Sequence, residues 1–170
     1  MSGVPGSGKS SVCVALMRRF PKGLHVPVDT IREWVVSGIA HPVPVWTTET
    51  SRQFMLARRT AAQAARTYAE AGFAVAIDDV IFPDEAEELF VEPLSAFPLY
   101  KILLRPSLEV ALARNASRTN KSFDTASLIQ TIAELHRNMD ADHFKASGWA
   151  VIDNTNLSID QTVEQILELY

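Results

Sequence analysis

The feature that most constrains this chain is a glycine-rich octapeptide, GVPGSGKS, at residues 3–10. It fits the pattern G-x-x-x-x-G-K-[ST] without a mismatch. Glycines at these positions let backbone N–H groups turn inward around phosphate oxygens, and the positive end of a following helix adds to the attraction. Such a loop normally lies between a buried strand and a helix, so the octapeptide predicts a fold as well as a ligand.

Most residues of this loop have a predicted task in holding a nucleotide. Lys9 is expected to reach the β and γ phosphates of ATP, and Ser10 is expected to bind Mg²⁺. We therefore predict ATP and Mg²⁺ as the cofactors. A chance match in a glycine-rich turn is the alternative, and the helical pattern after the loop argues against it. The predicted nucleotide-contacting residues are Gly3, Pro5, Gly6, Ser7, Gly8, Lys9, Ser10 and Ser11.

Short apolar runs typical of buried parallel strands alternate with helical stretches along the chain. Right-handed crossovers between such strands build a parallel sheet that helices cover on both faces. The predicted fold is α/β, a three-layer sandwich with a central parallel sheet, in one domain over residues 1–170. Strands are predicted at residues 24–28, 73–77, 99–104 and 149–152. Helices are predicted at residues 10–20, 30–39, 48–71, 84–90, 107–117, 125–139 and 158–169.

The central strand of this sheet is expected to be incomplete. A phosphate-binding loop of this kind normally follows such a strand, yet only Met1 and Ser2 precede Gly3. We expect the first strand to be largely missing from this chain, and the intact protein to be longer and more stable. Adding about six to eight apolar residues upstream, a typical strand length, is expected to raise the melting temperature.

Composition excludes some classes of protein. The net charge of −4 at pH 7 argues against broad polynucleotide binding, which usually needs a basic surplus. No apolar run approaches the about 18 residues of a membrane span, and the N-terminus has no secretory pattern. A single cysteine cannot build a disulfide framework. These observations favour a cytoplasmic protein.

Carboxylates follow two of the predicted strands. Asp78 and Asp79 end the second strand, where Asp78 has the register to hold the water shell of Mg²⁺ and Asp79 can face the substrate. The alternative is that one of the pair caps the next turn. Asp29 lies just beyond the first predicted strand, and Arg32 follows one helical turn later. Asp29 can accept the proton of an attacking hydroxyl and Arg32 can bind an anionic group, although Asp29 is equally suited to be an N-cap.

Several cations follow the third predicted strand, at Arg105, Arg114, Arg118 and Lys121. Phosphoryl transfer spreads negative charge over the transferred group, so a cation close to it lowers the barrier. We predict Arg114 and Arg118 for this role, with a solvated basic helix face as the alternative. A second set of arginines recurs every seven residues on the long helix and is expected to face solvent. These are Arg52, Arg59 and Arg66, with Arg58 beside them.

Taken together, the motifs GVPGSGKS, VDTIRE, VAIDDVIF, RPSLE and VIDNTNLS resemble those of small P-loop kinases. The group includes chloramphenicol phosphotransferase, polynucleotide kinase, gluconate kinase and shikimate kinase. The resemblance implies a P-loop NTPase sandwich, a catalytic base at Asp29, and a short lid over ATP at residues 114–121. It also implies that residues 153–156 lie near the adenine. VAIDDVIF is most similar to the chloramphenicol phosphotransferase group, while Asp29 and Arg32 match the Asp-x-x-Arg of polynucleotide kinases.

The predicted function is transfer of the ATP γ-phosphoryl group to a hydroxyl of a small molecule. A 5′-hydroxyl polynucleotide kinase is the second hypothesis, favoured by Arg32 and the arginine repeat and opposed by the acidic balance. Regulatory ATPases without an acceptor and kinase-like toxins that act on sugar nucleotides also remain open. The predicted partners are therefore ATP and a hydroxyl-bearing acceptor, without a membrane, and the oligomeric state is not predicted.

Overall fold

The computed structural model describes residues 1–117 and 128–169. Four strands alternate with helices, as the sequence predicts. The strands are β1 (Gly23–Pro27), β2 (Ala74–Asp78), β3 (Ile102–Leu104) and β4 (Ala150–Ile152). The helices are α1 (Lys9–Met17), α2 (Val28–Glu33), α3 (Thr48–Glu70), α4 (Pro83–Ala86), α5 (Leu108–Ala116), α6 (Ile129–Asn138), α7 (Ala141–Ala146) and α8 (Ile159–Leu167). Helix α4 continues directly into a π-helical turn, Glu87–Val91.

The strands form two parallel pairs, β1 with β2 and β3 with β4. Met1 and Ser2 lie between the pairs and connect them. The Met1 amino group donates to Ile77 O at 2.8 Å, while Ser2 N donates to Ile102 O at 2.7 Å. The strand order is therefore β1, β2, the Met1–Ser2 stub, β3 and β4, with the stub in the centre. This confirms the predicted central parallel sheet, in which Met1 and Ser2 lie at the position of the first strand.

Successive side chains along a strand point to opposite faces of the sheet, and each face is covered by a layer of helices. In β2, Ala74 and Ala76 face α1 and α8, while Val75 and Ile77 face α2 and α3. In β3, Leu103 packs on the opposite side from its neighbours, against the cluster built on α5, α6 and α7. The molecule is thus the three-layer α/β sandwich predicted from the sequence.

Most predicted elements have observed counterparts, with two differences. The second helix ends at Glu33, six residues before its predicted end, because the chain turns into the loop that contains Gly38 at φ 80°. Helix α7 was not predicted, and the Asp140 carboxylate caps its first turn by accepting from the backbone N–H groups of Asp142 and His143. The predicted start of the 125–139 helix lies outside the described residues.

An apolar groove of about 460 Å³ separates β2 from β3 beyond the stub. Met1 closes one end of it, and Val75, Ile77 and Ile102 line its walls together with Phe73. The groove follows from the shortness of the stub, which pairs with only a few backbone groups of its neighbours. None of the helices formed by residues 1–117 and 128–169 has the length and apolar character needed to cross a bilayer.

Candidate active site

The phosphate-binding loop lies at the carboxyl edge of the sheet, between the Met1–Ser2 stub and α1. Gly6 has φ 86°, and a Cβ there would lie 2.1 Å from Ala111 O on α5. Gly3 is equally confined, since its Cβ would lie 2.5 Å from Leu104 O. Both positions therefore require glycine, and the loop is held against β3 and α5. Its glycines leave the centre of the loop open for a phosphate group.

Lys9 folds back over the loop that precedes it. Its ammonium group donates to Gly3 O at 2.8 Å and to Val4 O at 3.2 Å. The Ser7 hydroxyl is buried and has no hydrogen-bond partner among the described residues. A buried polar atom without a partner is costly, so Ser7 marks a point where a ligand oxygen can be accommodated. Loop, lysine and hydroxyl together form a cradle suited to phosphate.

Asp78 lies behind this cradle at the end of β2 and is 4% exposed. His25 Nε2 on β1 lies 2.7 Å from its Oδ2 atom. Burial pushes the pKa of Asp78 upward, but the His25 hydrogen bond, the charges of Lys9 and His25 and a hydrogen bond from Ser10 outweigh it and hold the pKa below its usual value. Asp78 therefore stays ionised, and with Ser10 it offers the oxygen ligands that Mg²⁺ prefers. The residues present fit that ion.

A pocket of about 370 Å³ adjoins the loop on the side of α8. Asn154, just beyond β4, donates from Nδ2 to Ser7 O at 2.9 Å, and Arg114 on α5 donates to Asn154 O at 3.2 Å. Leu157 and Ile159 supply an apolar wall. The pocket has the size and lining for a planar base next to the phosphate cradle, in the region where the resemblance places adenine.

Asp29 and Arg32 lie on α2, directly after β1. The sequence left open that Asp29 is only an N-cap, and this alternative is wrong, because the helix begins at Val28 with Pro27 as its N-cap. Asp29 is exposed and lies within electrostatic range of both Arg32 and Asp79.

Arg32 is a buried cation, 7% exposed. Its Nη2 donates to Ala40 O at 2.7 Å, and its guanidinium carbon lies 3.8 Å from the centre of the Phe54 ring. Its Nε has no hydrogen-bond partner among the described residues. Burial lowers the pKa of Arg32, while the charges of Asp29 and Asp79 oppose the shift. Arginine remains charged under such conditions, so the site contains a cation with an unused donor.

The loop over Arg32 is fastened to α3. Gln53 accepts from Ala40 N at 2.9 Å and donates to Gly38 O at 2.8 Å. Trp46 stacks on Phe54 with ring centres 4.9 Å apart. Phe54 thus contacts both an exposed tryptophan and the buried arginine.

Asp79 points away from Asp78 and into an ion-pair network with α3. Its Oδ2 accepts from Arg58 Nε at 2.6 Å, and its Oδ1 accepts from Val80 N at 2.7 Å. Arg58 also donates to Glu85 at 2.9 Å and to Val80 O at 3.0 Å. Burial raises the pKa of Asp79 against the charge of Arg58 and the hydrogen bonds. Asp79, which the sequence predicts to face the substrate, is therefore buried and paired with Arg58.

Several predicted cations have other partners, are exposed, or lie outside the described residues. The guanidinium group of Arg105 donates to Met139 O and His136 O, so its hydrogen bonds go to backbone carbonyls. Arg52 and Arg66 pair with glutamates of their own helix at the surface, and Arg59 is exposed, as the solvated-face interpretation predicts. The predicted catalytic Arg118, together with Lys121 and most of the predicted lid, lies outside the described residues.

Sequence reasoning missed two residues of this site. Arg58 was noted only beside the arginine repeat, although it lies one turn after Phe54 on the same buried face of α3 as Ala61. The helical spacing of Phe54, Arg58 and Ala61 could have indicated that Arg58 is buried. His25 gave no signal, because its contact with Asp78 depends on the parallel pairing of β1 with β2, in which His25 lies opposite Ala76.

A protein-family model matches most of this chain. Residues 1–142 match the model of the AAA_33 family, described as an AAA domain. The chain belongs to the AAA_33 family. No curated protein matches the sequence.

Solved structures similar to this AAA_33 chain share its fold at low identity. A sugar kinase from Janibacter has a TM-score of 0.69 and 19% identity, over 98% of this chain and 90% of that one. The tunicamycin resistance protein of Deinococcus radiodurans has a TM-score of 0.65 and 17% identity, over 99% and 91%. Shikimate kinase from Bacteroides thetaiotaomicron has a TM-score of 0.63 and 14% identity, over 99% and 94%. The fold is that of the small P-loop kinases.

Proposed function

We propose that this AAA_33 chain transfers the γ-phosphoryl group of ATP to a hydroxyl of a small molecule. One observation carries the proposal, namely that the exposed carboxylate of Asp29 and the buried cation of Arg32 lie at the same sheet edge as the phosphate cradle. A nucleotide switch has no need of a candidate base and an unused arginine donor beside the phosphate cradle. Kinases among the similar structures add support at the level of the fold.

In the proposed reaction the acceptor oxygen attacks the γ phosphorus while its proton passes to Asp29. The bond from phosphorus to the β–γ bridging oxygen breaks, and ADP leaves with that oxygen. Lys9 and the loop amides hold the phosphates, and Arg114 offers a positive charge at the nucleotide pocket. Bound at Ser10 and Asp78, Mg²⁺ would supply further positive charge. Arg118 retains its sequence-based assignment to the transferred group.

Arg32 indicates what the acceptor carries. Its unpartnered Nε and its position on the Phe54 ring favour a planar anionic group such as a carboxylate, which arginine binds with two parallel hydrogen bonds. Trp46 offers an exposed aromatic face nearby. These features support a compact acceptor that carries an anionic group and presents a hydroxyl to Asp29.

The second candidate, a 5′-hydroxyl polynucleotide kinase, has the Asp29 and Arg32 pair in its favour. A nucleic acid would also need cations along its path, yet Arg52 and Arg66 already pair with glutamates. Salt dependence separates the two candidates, because oligonucleotide binding falls steeply with added salt. Small-molecule binding through one arginine depends on salt far less.

A screen of hydroxyl acceptors with γ-labelled ATP tests the proposal. The panel contains hydroxy acids, sugars, aminoglycosides, chloramphenicol, nucleosides and 5′-hydroxyl oligonucleotides. We expect labelled product from at least one small molecule, and loss of that product with Asp29→Asn. ATP hydrolysis without transfer to any acceptor would instead favour a regulatory ATPase.

A further inference from the structure

Three side chains with metal-binding atoms meet beneath the phosphate loop, from three different elements. Cys13 comes from α1, His25 from β1 and Asp78 from the end of β2. Their ligand atoms, one per residue, all lie within 4.8 Å of one another. We call these residues the Cys13–His25–Asp78 cluster. In the proposed kinase reaction Asp78 is the metal ligand and His25 only its hydrogen-bond partner, so the Cys13 thiol has no role there.

The sheet register explains why these residues meet. His25 lies opposite Ala76 in the parallel pair, and Asp78 is two residues further along β2, so all three face the same layer. Cys13 and Ala76 belong to one buried cluster, which places the thiol above this face of the sheet. The arrangement therefore belongs to the folded core and depends on no loop.

We propose that the Cys13–His25–Asp78 cluster binds a Zn²⁺-class ion and that the ion withdraws Asp78 from the phosphate site. Thiolate, imidazole and carboxylate together are the ligands of Zn²⁺, whereas Mg²⁺ prefers oxygen alone. Ligand atoms around tetrahedral zinc lie about 3.3–3.8 Å apart, so the cluster closes on an ion with side-chain shifts of about 1 Å.

Charge and access are compatible with such an ion. On binding, the Cys13 thiol releases its proton to solvent, and the sulfur forms the bond to the metal. The thiolate and the Asp78 carboxylate then neutralise the double charge of the ion, which suits a buried position. The His25 side chain is 16% exposed, so the cluster is not sealed from solvent. Met1 Sδ lies 3.6 Å from Cys13 Sγ and is available as a fourth ligand.

The functional consequence rests on the proposed kinase reaction. A carboxylate bound to Zn²⁺ in the cluster cannot also hold the waters of Mg²⁺ beside Ser10. Zn²⁺ is therefore expected to inhibit phosphoryl transfer by competing with Mg²⁺ for Asp78, the ligand that the two sites share. Cys13→Ser, which leaves the nucleotide site intact, should lower the sensitivity to Zn²⁺ by about tenfold or more.

Titration of the nucleotide-free protein with Co²⁺ tests the site without any reaction. Cys13 is the only cysteine, so a thiolate-to-cobalt charge-transfer band can arise from this position alone. We expect the band to saturate at one ion per chain and to disappear on addition of Zn²⁺. His25→Gln should weaken Co²⁺ binding by about tenfold or more, whereas the exposed His143→Gln should leave it unchanged.

Absence of the band at saturating Co²⁺ in the wild-type protein would overturn the metal site, and so would a band that a folded His25→Gln variant leaves unchanged. Circular dichroism establishes folding of both histidine variants. The titration needs neither ATP nor an acceptor, so its failure leaves the kinase proposal standing. Conversely, a normal titration with no transfer to any acceptor would overturn the kinase proposal and leave the metal site standing.

Discussion

Arg58 on α3 donates from Nε to Asp79 Oδ2 at 2.6 Å, and both side chains are buried. This ion pair joins the long helix to the end of β2, next to the carboxylate of Asp78. Removing one member of a buried pair leaves the other charge uncompensated, which costs far more than the pair contributes when intact. The attachment of α3 to the end of β2 therefore depends on Arg58.

Arg58→Ala should lower the free energy of unfolding by about 3–5 kcal/mol, because it strands Asp79 in the core. Arg59→Ala removes the same side chain from the next, exposed position and should change stability by less than about 0.5 kcal/mol. Chemical denaturation measures both. The double variant Arg58→Ala/Asp79→Ala should lose less than the two single losses added together, and strict additivity would contradict the coupling.

Asp29→Asn should lower kcat by about 10²–10⁴-fold, since the amide cannot accept the hydroxyl proton. ATP affinity, measured by calorimetry, should remain nearly intact, because Asp29 lies outside the phosphate cradle. Asp84→Asn, a surface change at the start of α4, provides the matched control. Equal losses of turnover and ATP affinity would show that Asp29 supports the fold or the nucleotide site rather than the proton transfer.

Lys9→Met should weaken ATP binding by about 10–100-fold, the range expected when a charged hydrogen-bond donor to phosphate is removed. The methionine keeps the length of the side chain and loses the donors to Gly3 O and Val4 O. Lys22→Met, an exposed change beyond α1, is the control in the same calorimetric assay. Unchanged affinity in Lys9→Met would remove the lysine from the nucleotide site.

Extension of the chain by about six to eight apolar residues ahead of Met1 should raise the melting temperature by about 4 °C or more. The added segment would lie in the groove between β2 and β3 and pair with their unpaired backbone edges. An extension of the same length built from glycine and serine should give much less, because it buries little apolar surface. Equal melting temperatures for the two extensions would exclude occupation of the groove.

The elements that the sequence predicted well are those encoded by local patterns. The glycine positions of the octapeptide predict a phosphate-binding loop, and the unbroken apolar run of residues 73–77 predicts a buried strand. Burial of Arg58 is harder to predict. A cation on the inner face of a helix needs a buried partner, and the partner, Asp79, lies at the end of a strand distant in sequence. The contact of His25 with Asp78 needs the strand register, which no local pattern supplies.

One misjudged helix boundary and one helix that was not predicted have similarly specific causes. Helix α2 ends early because Arg32 reaches over to Ala40 O and Gln53 holds the same loop, so tertiary contacts replace further helical turns. Helix α7 was missed because it has only six residues, too few for a periodic pattern. Asp140, which caps it, was the available signal.

The hydrogen bond from Asn154 to Ser7 spans 147 positions of the chain. During synthesis, the phosphate loop therefore emerges from the ribosome long before the residue that fastens its backbone. A nascent chain that stops short of β4 also lacks an outer strand of the sheet and one wall of the pocket beside the phosphate loop. The loop backbone is thus fastened only after residue 154 has been made, 147 positions after the serine whose carbonyl it holds.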